Sequence, residues 1–415
     1  MQRAQANQFL LAALKLGRVY LSCGGSISNL EESLTRASTH FGLHASVHAT
    51  PTSITISCID SHNNDAKSLS TRIGRQDSHL GRLAFISRLL EMFSKGLLLP
   101  EKASALIGKE WTNKDYPREI VQVAIFLVGF SVSYSRTLDW GFGVIGGVVT
   151  ILSSVFGSLL LKFFKVGDSI KEFLMCFIAI SMSTLLASYL RIHPSQLFIG
   201  TLALVLPGLT LTSAIGDLIE ENFHTGLVKL AKTVLTLLSI GFAYLLSTDW
   251  LSGLGYVTTD LIIAKIESIP QVFASFCSTL GLIVGFCILL KVPRKAILQC
   301  VLIGSAGWVV FRVSNPGGHP YAASFLSALI VSVLSRVLSR YKRIPMQVYV
   351  IPSILVMVPG LLAFSYLQPL VDEASLAHAS RSVLSSIMIA AALSFGLLVG
   401  QLRWGKQPEL AKGSW

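Results

Sequence analysis

The stretch LALVLPGLTLTSAIGDL, residues 202–218, interrupts an apolar run with Pro207 and Gly208 and then carries Thr210, Ser213 and Asp217. Proline has no N–H and its ring crowds the carbonyl four residues back, so the carbonyl of Ala203 loses its helical partner. Glycine beside it lets the backbone leave the helix and lets a ligand approach closely. Thr210, Ser213 and Asp217 recur at i, i+3 and i+7, on one helical face, where two hydroxyls lead to a carboxylate. Freed carbonyls and hydroxyls hold a small polar solute, and a carboxylate at the end of such a track takes up and releases a proton. A second stretch, ILVMVPGLLAFSYL at 354–367, repeats the break at Pro359 and Gly360 and frees the carbonyl of Leu355. The pattern predicts Pro207, Gly208, Thr210, Ser213, Pro359 and Gly360 as substrate-binding residues and Asp217 as a proton-coupling one. A proline kink repaired by hydroxyls, with Asp217 marking the helix end, explains one such break; two matching breaks favour a binding site.

Irregular backbone survives inside a bilayer only against protein or water, so the breaks need neighbouring helices. The composition supplies them. Hydrophobic residues make up 52% of the 415 and charged residues 13%, against about a quarter charged in soluble proteins. Residues 1–119 hold 14 Lys+Arg and 10 Asp+Glu, and the remaining 296 hold only 20 and 12. At about twenty apolar residues per crossing, ten segments qualify: 120–135, 140–161, 172–190, 195–216, 227–246, 269–290, 296–313, 320–335, 347–367 and 382–402. Pro345, Pro352 and Pro359 recur through the ninth, which is predicted to be irregular or re-entrant.

Alternating the segments from a cytoplasmic N-terminus places fifteen Lys and Arg in inner loops and five in outer ones, which satisfies the positive-inside rule with both termini cytoplasmic. The formal charge of +12 therefore belongs to membrane orientation, and no nucleic-acid partner is expected. Five segments precede the loop STDWLSGLGYVTTDLIIAKIES and five follow it. An odd number per half makes the halves antiparallel, with one broken helix as the fourth of each. That is the inverted-repeat plan of many secondary transporters. The expected fold is an α-helical polytopic membrane protein of about ten transmembrane helices in a 5+5 inverted repeat, preceded by a small α+β cytoplasmic domain. The expected boundaries are 1–118 for that domain, 119–247 for the first membrane half, 248–268 for an outer linker, 269–403 for the second half and 404–415 for a cytoplasmic tail.

In the N-terminal domain, Leu10, Leu11, Leu14 and Leu21 suit an amphipathic helix better than a signal peptide. Ser28-x-x-Glu31 reads as a capping box opening a helix that Gly42 ends. HASVHAT and TSITISCID alternate as strands do, a polar loop follows at 60–75, and Pro100 sits at a first helical position. His40, His44 and His48 are four apart, but Gly42 and the switch to strand break the helical face a metal site would need, so no metal is expected. Six cysteines form no C-x-x-C pair, and no phosphate loop, nucleophile elbow or H-E-x-x-H occurs. No cofactor and no enzymatic activity are expected, and transport without a Walker motif implies a gradient-driven process. Gly143/Gly147 and Gly281/Gly285 are G-x-x-x-G pairs that suit internal helix packing.

These stretches together resemble the threonine/serine exporter family in its fused form, with both membrane halves in one chain. The family is related to two-protein bacterial succinate exporters and fungal pheromone-regulated membrane proteins. LGRVYLSCGGSISNLEESL, RLAFISRLLEMFSKGLLLPEKA, LALVLPGLTLTSAIGDLIEENFHTGLVKL and YKRIPMQVYVIPSILVMVPGLLAFSYL carry the resemblance. Pro207, Gly208, Thr212, Ala214 and Asp217 stand in the family's positions, while Ser213 replaces a frequent Asn, Gly216 a frequent basic residue and Ser353 a usual Gly. The resemblance implies efflux of small hydroxylated amino acids driven by the proton motive force, with dicarboxylates such as succinate as the other cargo class. A dicarboxylate would need more fixed positive charge, for which Lys229 and Lys232 are the core-adjacent candidates. The expected partners are a small-molecule substrate, protons and the lipid bilayer, and a bacterial inner membrane is the simplest placement. The N-terminal domain also suits a regulatory, hydrolytic or oligomerisation module, so a homo-oligomer is compatible with the chain.

Overall fold

The computed structural model describes residues 2–50, 52–59, 66–74, 79–109, 116–163, 168–190, 194–205, 207–253, 268–315, 320–357 and 376–402. Pro359, Gly360 and the remainder of the second Pro-Gly stretch lie outside the described residues.

The N-terminal domain comprises α1 (Gln2–Ser22), α2 (Ile27–His40), β1 (His44–Ala49), β2 (Ser53–Ile59), β3 (Ala66–Arg72), α3 (Leu80–Ser94) and α4 (Pro100–Lys109). The strands form an antiparallel sheet in the order β1-β2-β3. Ile54, Ile56 and Cys58 point into the core, as strand alternation requires. On the opposite face Thr55 and Ser57 meet Ser70 and Ser68 at 3.0 Å. Phe9, Phe41 and Phe93 stack at 5.5–5.8 Å and tie α1 to α3. Three local expectations are corrected. The polar segment at 60–75 contains β3, because its Ser and Thr side chains pair across the sheet's outer face while Leu69 packs toward the core. The helix opens at Ile27 after Ser26, and Glu31, instead of closing a capping box, accepts the amide of Ala49 at 2.8 Å. Leu11 is 50% exposed, so the buried stripe of α1 runs through Phe9, Leu10, Ala13 and Leu16.

The membrane domain begins with α5 (Arg118–Thr137), α6 (Trp140–Phe163), α7 (Asp168–Leu190), α8 (Ser195–Val205), α9 (Gly208–Ile219) and α10 (Phe223–Gly253). It continues with α11 (Ile269–Leu289), α12 (Arg294–Val313), α13 (Pro320–Lys342), α14 (Met346–Ile354) and α15 (Leu376–Gln401). Seven of these, α6, α7, α10, α11, α12, α13 and α15, are long and apolar enough to cross a membrane. The pair α8–α9, bent by 41° at the Pro207 break, makes an eighth. Of the ten expected spans, the first, 120–135, lies within helix α5, which is not among these seven. The ninth is described only in its opening, where α14 follows Pro345, contains Pro352 and stops at Ile354. Helix α10 runs to Gly253, past residue 248, the expected start of the outer linker.

The two sets of helices pack by one rule. In the first, α5 meets α6 and α8, α6 meets α7 and α8, and α7 meets α8 and α10. In the second, α11 meets α12 and α14, α12 meets α13 and α14, and α13 meets α14 and α15. The first corner of each set turns through a left-handed residue, Leu138 at φ 57° and Lys291 at φ 53°. The sets join where α5 crosses α11. There a Cβ on Gly281 would lie 2.5 Å from Ser131 Oγ, and one on Gly285 would lie 2.7 Å from Val128 Cγ2 and 3.2 Å from the Ala124 carbonyl. Gly143 and Gly147 serve α5–α6 in the same way, against Phe130 and Phe126.

Among the described residues, the N-terminal domain shares its hydrophobic core and its interdomain backbone hydrogen bonds with the second set. The amides of Leu80 and Gly81, opening α3, donate to the carbonyls of Leu290 and Lys291 at 3.0 and 2.9 Å, closing α11. Orphan donors of one helix thus satisfy orphan acceptors of another. Tyr116 donates to the Val292 carbonyl at 2.7 Å. One hydrophobic core runs from Phe9 and Leu83 through to Ile283, Ala296 and Tyr349.

Gly285→Leu should lower thermal stability in detergent by about 1–3 kcal/mol, because backbone of α5 stands where the side chain must go. Gly74→Ala, with nothing within 4 Å of the added Cβ, is the control and should leave the melting temperature unchanged.

Candidate functional site

The site is built on the Pro207 break. Pro207 precedes α9 with φ −82° and ψ 35°, and its carbonyl accepts the Leu211 amide at 2.8 Å. Gly208 starts α9 and is buried. The amides of Gly208, Leu209 and Thr210 open the helix, where no preceding turn supplies carbonyls and the dipole is positive. The two pieces of the broken span have no major partner in common: α8 packs on α5, α6 and α7, whereas α9 packs on α10 and α15. Their apolar side chains follow suit. Val205 joins the core of Val149, Phe198 and Ile240, and Leu209 joins that of Ala328, Ile389 and Leu393. The break therefore falls on the seam between two hydrophobic cores.

The polar track expected on α9 is present in part. Thr210, Ser213 and Asp217 are all half-buried on that helix. The Ser213 hydroxyl donates to the Thr210 carbonyl at 3.1 Å, so its proton is committed and its lone pairs remain available. Thr212 donates to the Gly208 carbonyl at 3.1 Å, and its own carbonyl accepts Ser394 Oγ of α15 at 2.8 Å. A Cβ on Gly216 would lie 3.9 Å from the same Ser394, an ordinary contact distance. His40 ends α2 while His44 and His48 lie on β1, separate elements as their spacing implied.

Asp217 is held by a partner from the next helix. Glu221 turns the chain through φ 63°, and the Asn222 amide donates to the Asp217 carbonyl at 2.8 Å. Gly226 lets Leu218 pack closely, since a Cβ there would lie 2.6 Å from its Cγ and 3.0 Å from the Ala214 carbonyl. This tight hairpin brings Lys229 Nζ to 2.6 Å from Asp217 Oδ2, with side-chain exposures of 30% and 21%. Oδ2 is out of solvent and has no hydrogen-bond partner among the described residues, so the contact is held by charge. Glu220, one turn beyond Asp217, completes the group. Partial desolvation and then the like charge of Asp217 push its carboxyl above the usual range, and Lys229 partly offsets them. Sequence reasoning did not single out Glu220, although Asp217-x-x-Glu220 has the i, i+3 spacing of helix neighbours. Lys232, the other candidate cation, is exposed.

Lys229→Ala should cost about 1–3 kcal/mol, between the values for exposed and buried pairs. Asp217→Asn in the same chain should recover part of that loss in a double-mutant cycle of thermal unfolding. Folding raises the Glu220 carboxyl, so the folded state binds that proton more tightly than the unfolded chain. Stability contributed there falls as pH rises from the ordinary carboxylate pKa through the raised one. Glu220→Gln should accordingly melt higher than the parent at about pH 7, with the gap closing toward about pH 4.

A threonine/serine exporter family model matches residues 12–250, and the Threonine/Serine exporter model matches residues 271–402. A curated relative, the threonine/serine exporter of Corynebacterium glutamicum, is 22% identical over 411 residues, covering 94% of this chain and 81% of that protein. No solved structure matches the chain. Two family models that between them take in the soluble domain, the Pro207 break and the second set of helices leave one assignment: this multi-pass membrane chain belongs to the threonine/serine exporter family.

Proposed function

We propose that the chain is a secondary active exporter of small polar amino acids of the threonine/serine type, working by alternating access and driven by the proton motive force. The observation that carries this reading is the Asp217–Lys229 pair beside a helix broken on the seam between two cores. A neutral zwitterion needs one carboxylate site and one set of carbonyls. The opening amides of α9 suit the first and the closing carbonyls of α8 the second, the arrangement broken transporter helices offer their cargo. Thr210 and Ser213 have hydroxyl oxygens for the cargo's side chain, and Pro359 with Gly360 would complete the site from the other half. A dicarboxylate fits less well, because Lys229 is already neutralised by Asp217 and Lys232 is exposed.

Alternating access requires two bodies and a joint. The matching packing rules of the two helix sets support a 5+5 inverted repeat, with α5–α11 near its axis. In this reading the boundaries stay at 1–118, 119–247, 248–268, 269–403 and 404–415, and both termini face the cytoplasm of a bacterial cell across its inner membrane. Asp217 alternates between a carboxylate paired with Lys229 and a protonated carboxyl that leaves the Lys229 charge unpaired, and so couples the proton to the movement of α9.

Inside-out vesicles turn export into uptake. Labelled threonine or serine should accumulate, and a protonophore or Asp217→Asn should reduce accumulation to the equilibrium level. Succinate should not accumulate. Succinate uptake alone would move the protein to the dicarboxylate class, and threonine uptake indifferent to the protonophore would remove the coupling role of Asp217.

A further inference from the structure

A cavity of about 740 Å³ lies between the N-terminal domain and the end of the membrane domain on which it is docked. Its walls come from α2 and α3 on one side and from the α13–α14 corner on the other. Arg36, Arg88 and Lys95 reach it from the soluble domain, Arg340 and Arg343 from the membrane domain, and Glu91 is its one acidic residue. Two of the cations are already spoken for: Arg36 pairs with Glu32, and Lys95 pairs with Glu91 at 2.6 Å. Arg88, Arg340 and Arg343 make no ion pair among the described residues. Their neighbours on α13 are differently employed. Arg336 donates to the carbonyls of Gly400 and Leu402 and caps α15, and Lys342 lies 5.0 Å over the Tyr341 ring.

We propose that this cavity is a binding site for a phosphate-bearing anion that locks the soluble domain onto the α13–α14 corner. Three exposed guanidinium groups lining one cavity give it a positive field that an anion would balance. Guanidinium is the side-chain group suited to bidentate contact with phosphate. A zwitterionic amino acid would bring an ammonium into the same positive field, so the transport cargo is excluded as the occupant. Membrane orientation accounts for basic residues at the end of α13 wherever they point. It does not account for Arg88, which comes from the soluble domain, facing the same cavity. Arg343 follows α13 in the same left-handed turn that Leu138 and Lys291 make after their helices, and that turn carries it to the cavity. The volume is in the range of small-molecule sites. The phosphate can come from an anionic lipid headgroup or from a soluble phosphorylated compound, since both present the same oxygens.

The test uses the full-length protein in nanodiscs and reads thermal unfolding. One arm titrates pyrophosphate into phosphatidylcholine nanodiscs at fixed ionic strength; the other replaces part of the phosphatidylcholine with phosphatidylglycerol. At least one probe should raise the melting temperature of the parent. Pyrophosphate alone would point to a soluble ligand and phosphatidylglycerol alone to a headgroup. Arg88→Gln with Arg343→Asn removes two charges while keeping a residue that tolerates the left-handed backbone, and should weaken the response about tenfold or more. Lys102→Gln, a charge change outside the cavity lining, should leave the response intact. If the double variant does not fold, Arg340→Gln alone is read in the same way. No shift with either probe, or an undiminished shift in the arginine variants, would overturn the proposal.

Discussion

A helix interrupted among apolar neighbours leaves backbone groups that only protein or water can satisfy, and the arrangement around Pro207 follows from that constraint. The chain answers it by giving each half of the broken span its own neighbours. Helix α8 is enclosed by α5, α6 and α7, and α9 by α10 and α15. The Ser394 hydroxyl reaches across from α15 to the Thr212 carbonyl, binding α9 to the second set of helices although it belongs in sequence to the first. A break is tolerable there because it coincides with a boundary that packing has already made.

The two sets share their packing order yet are not equivalent, because among the described residues the second shares its core with the soluble domain. Amide-to-carbonyl contacts between α3 and α11 are backbone groups on both sides, so they depend on shape more than on side-chain identity. A Cβ on Gly81 would lie 2.9 Å from the Lys291 carbonyl, and the contact needs glycine for that reason. With one core continuous from Phe9 to Tyr349, the second set and the soluble domain form a single body. The first set keeps a core of its own around Cys176, Ile180 and Ile240.

Much of this was legible in the sequence, for identifiable reasons. Long apolar segments and Pro-Gly punctuation are local signals, and they located the helices and the break at Pro207. β3 escaped because its stability comes from pairing with β2, which a polar segment such as AKSLSTR does not announce. Ser28 and Glu31 matched a capping motif, but the sheet took Glu31 for the Ala49 amide. The Asp217–Lys229 pair depends on a hairpin through Glu221 at positive φ, and nothing in the residue types fixes that turn. The arginine cavity was beyond reach for the same reason, since Arg88 and Arg340 come to line one cavity only when the domains dock.

Magnitudes decide what the charged group at the end of α9 can do. Moving a two-state equilibrium from 1:99 to 99:1 takes about 5.5 kcal/mol. A partly exposed pair such as Asp217–Lys229 supplies about 1–3 kcal/mol, so in the proposed mechanism protonating the carboxylate would bias the equilibrium without throwing it alone. The remainder has to come from apolar surface exchanged along the seam, at about 25 cal/mol per Å². Burying or exposing one side chain the size of Leu209 is worth about 1.5–3 kcal/mol on that scale, comparable to the pair itself. In the proposed exporter, cargo and proton would therefore act on the same small element: the carboxylate would set which state is favoured, and the repacking of α9 along the seam how far the shift goes.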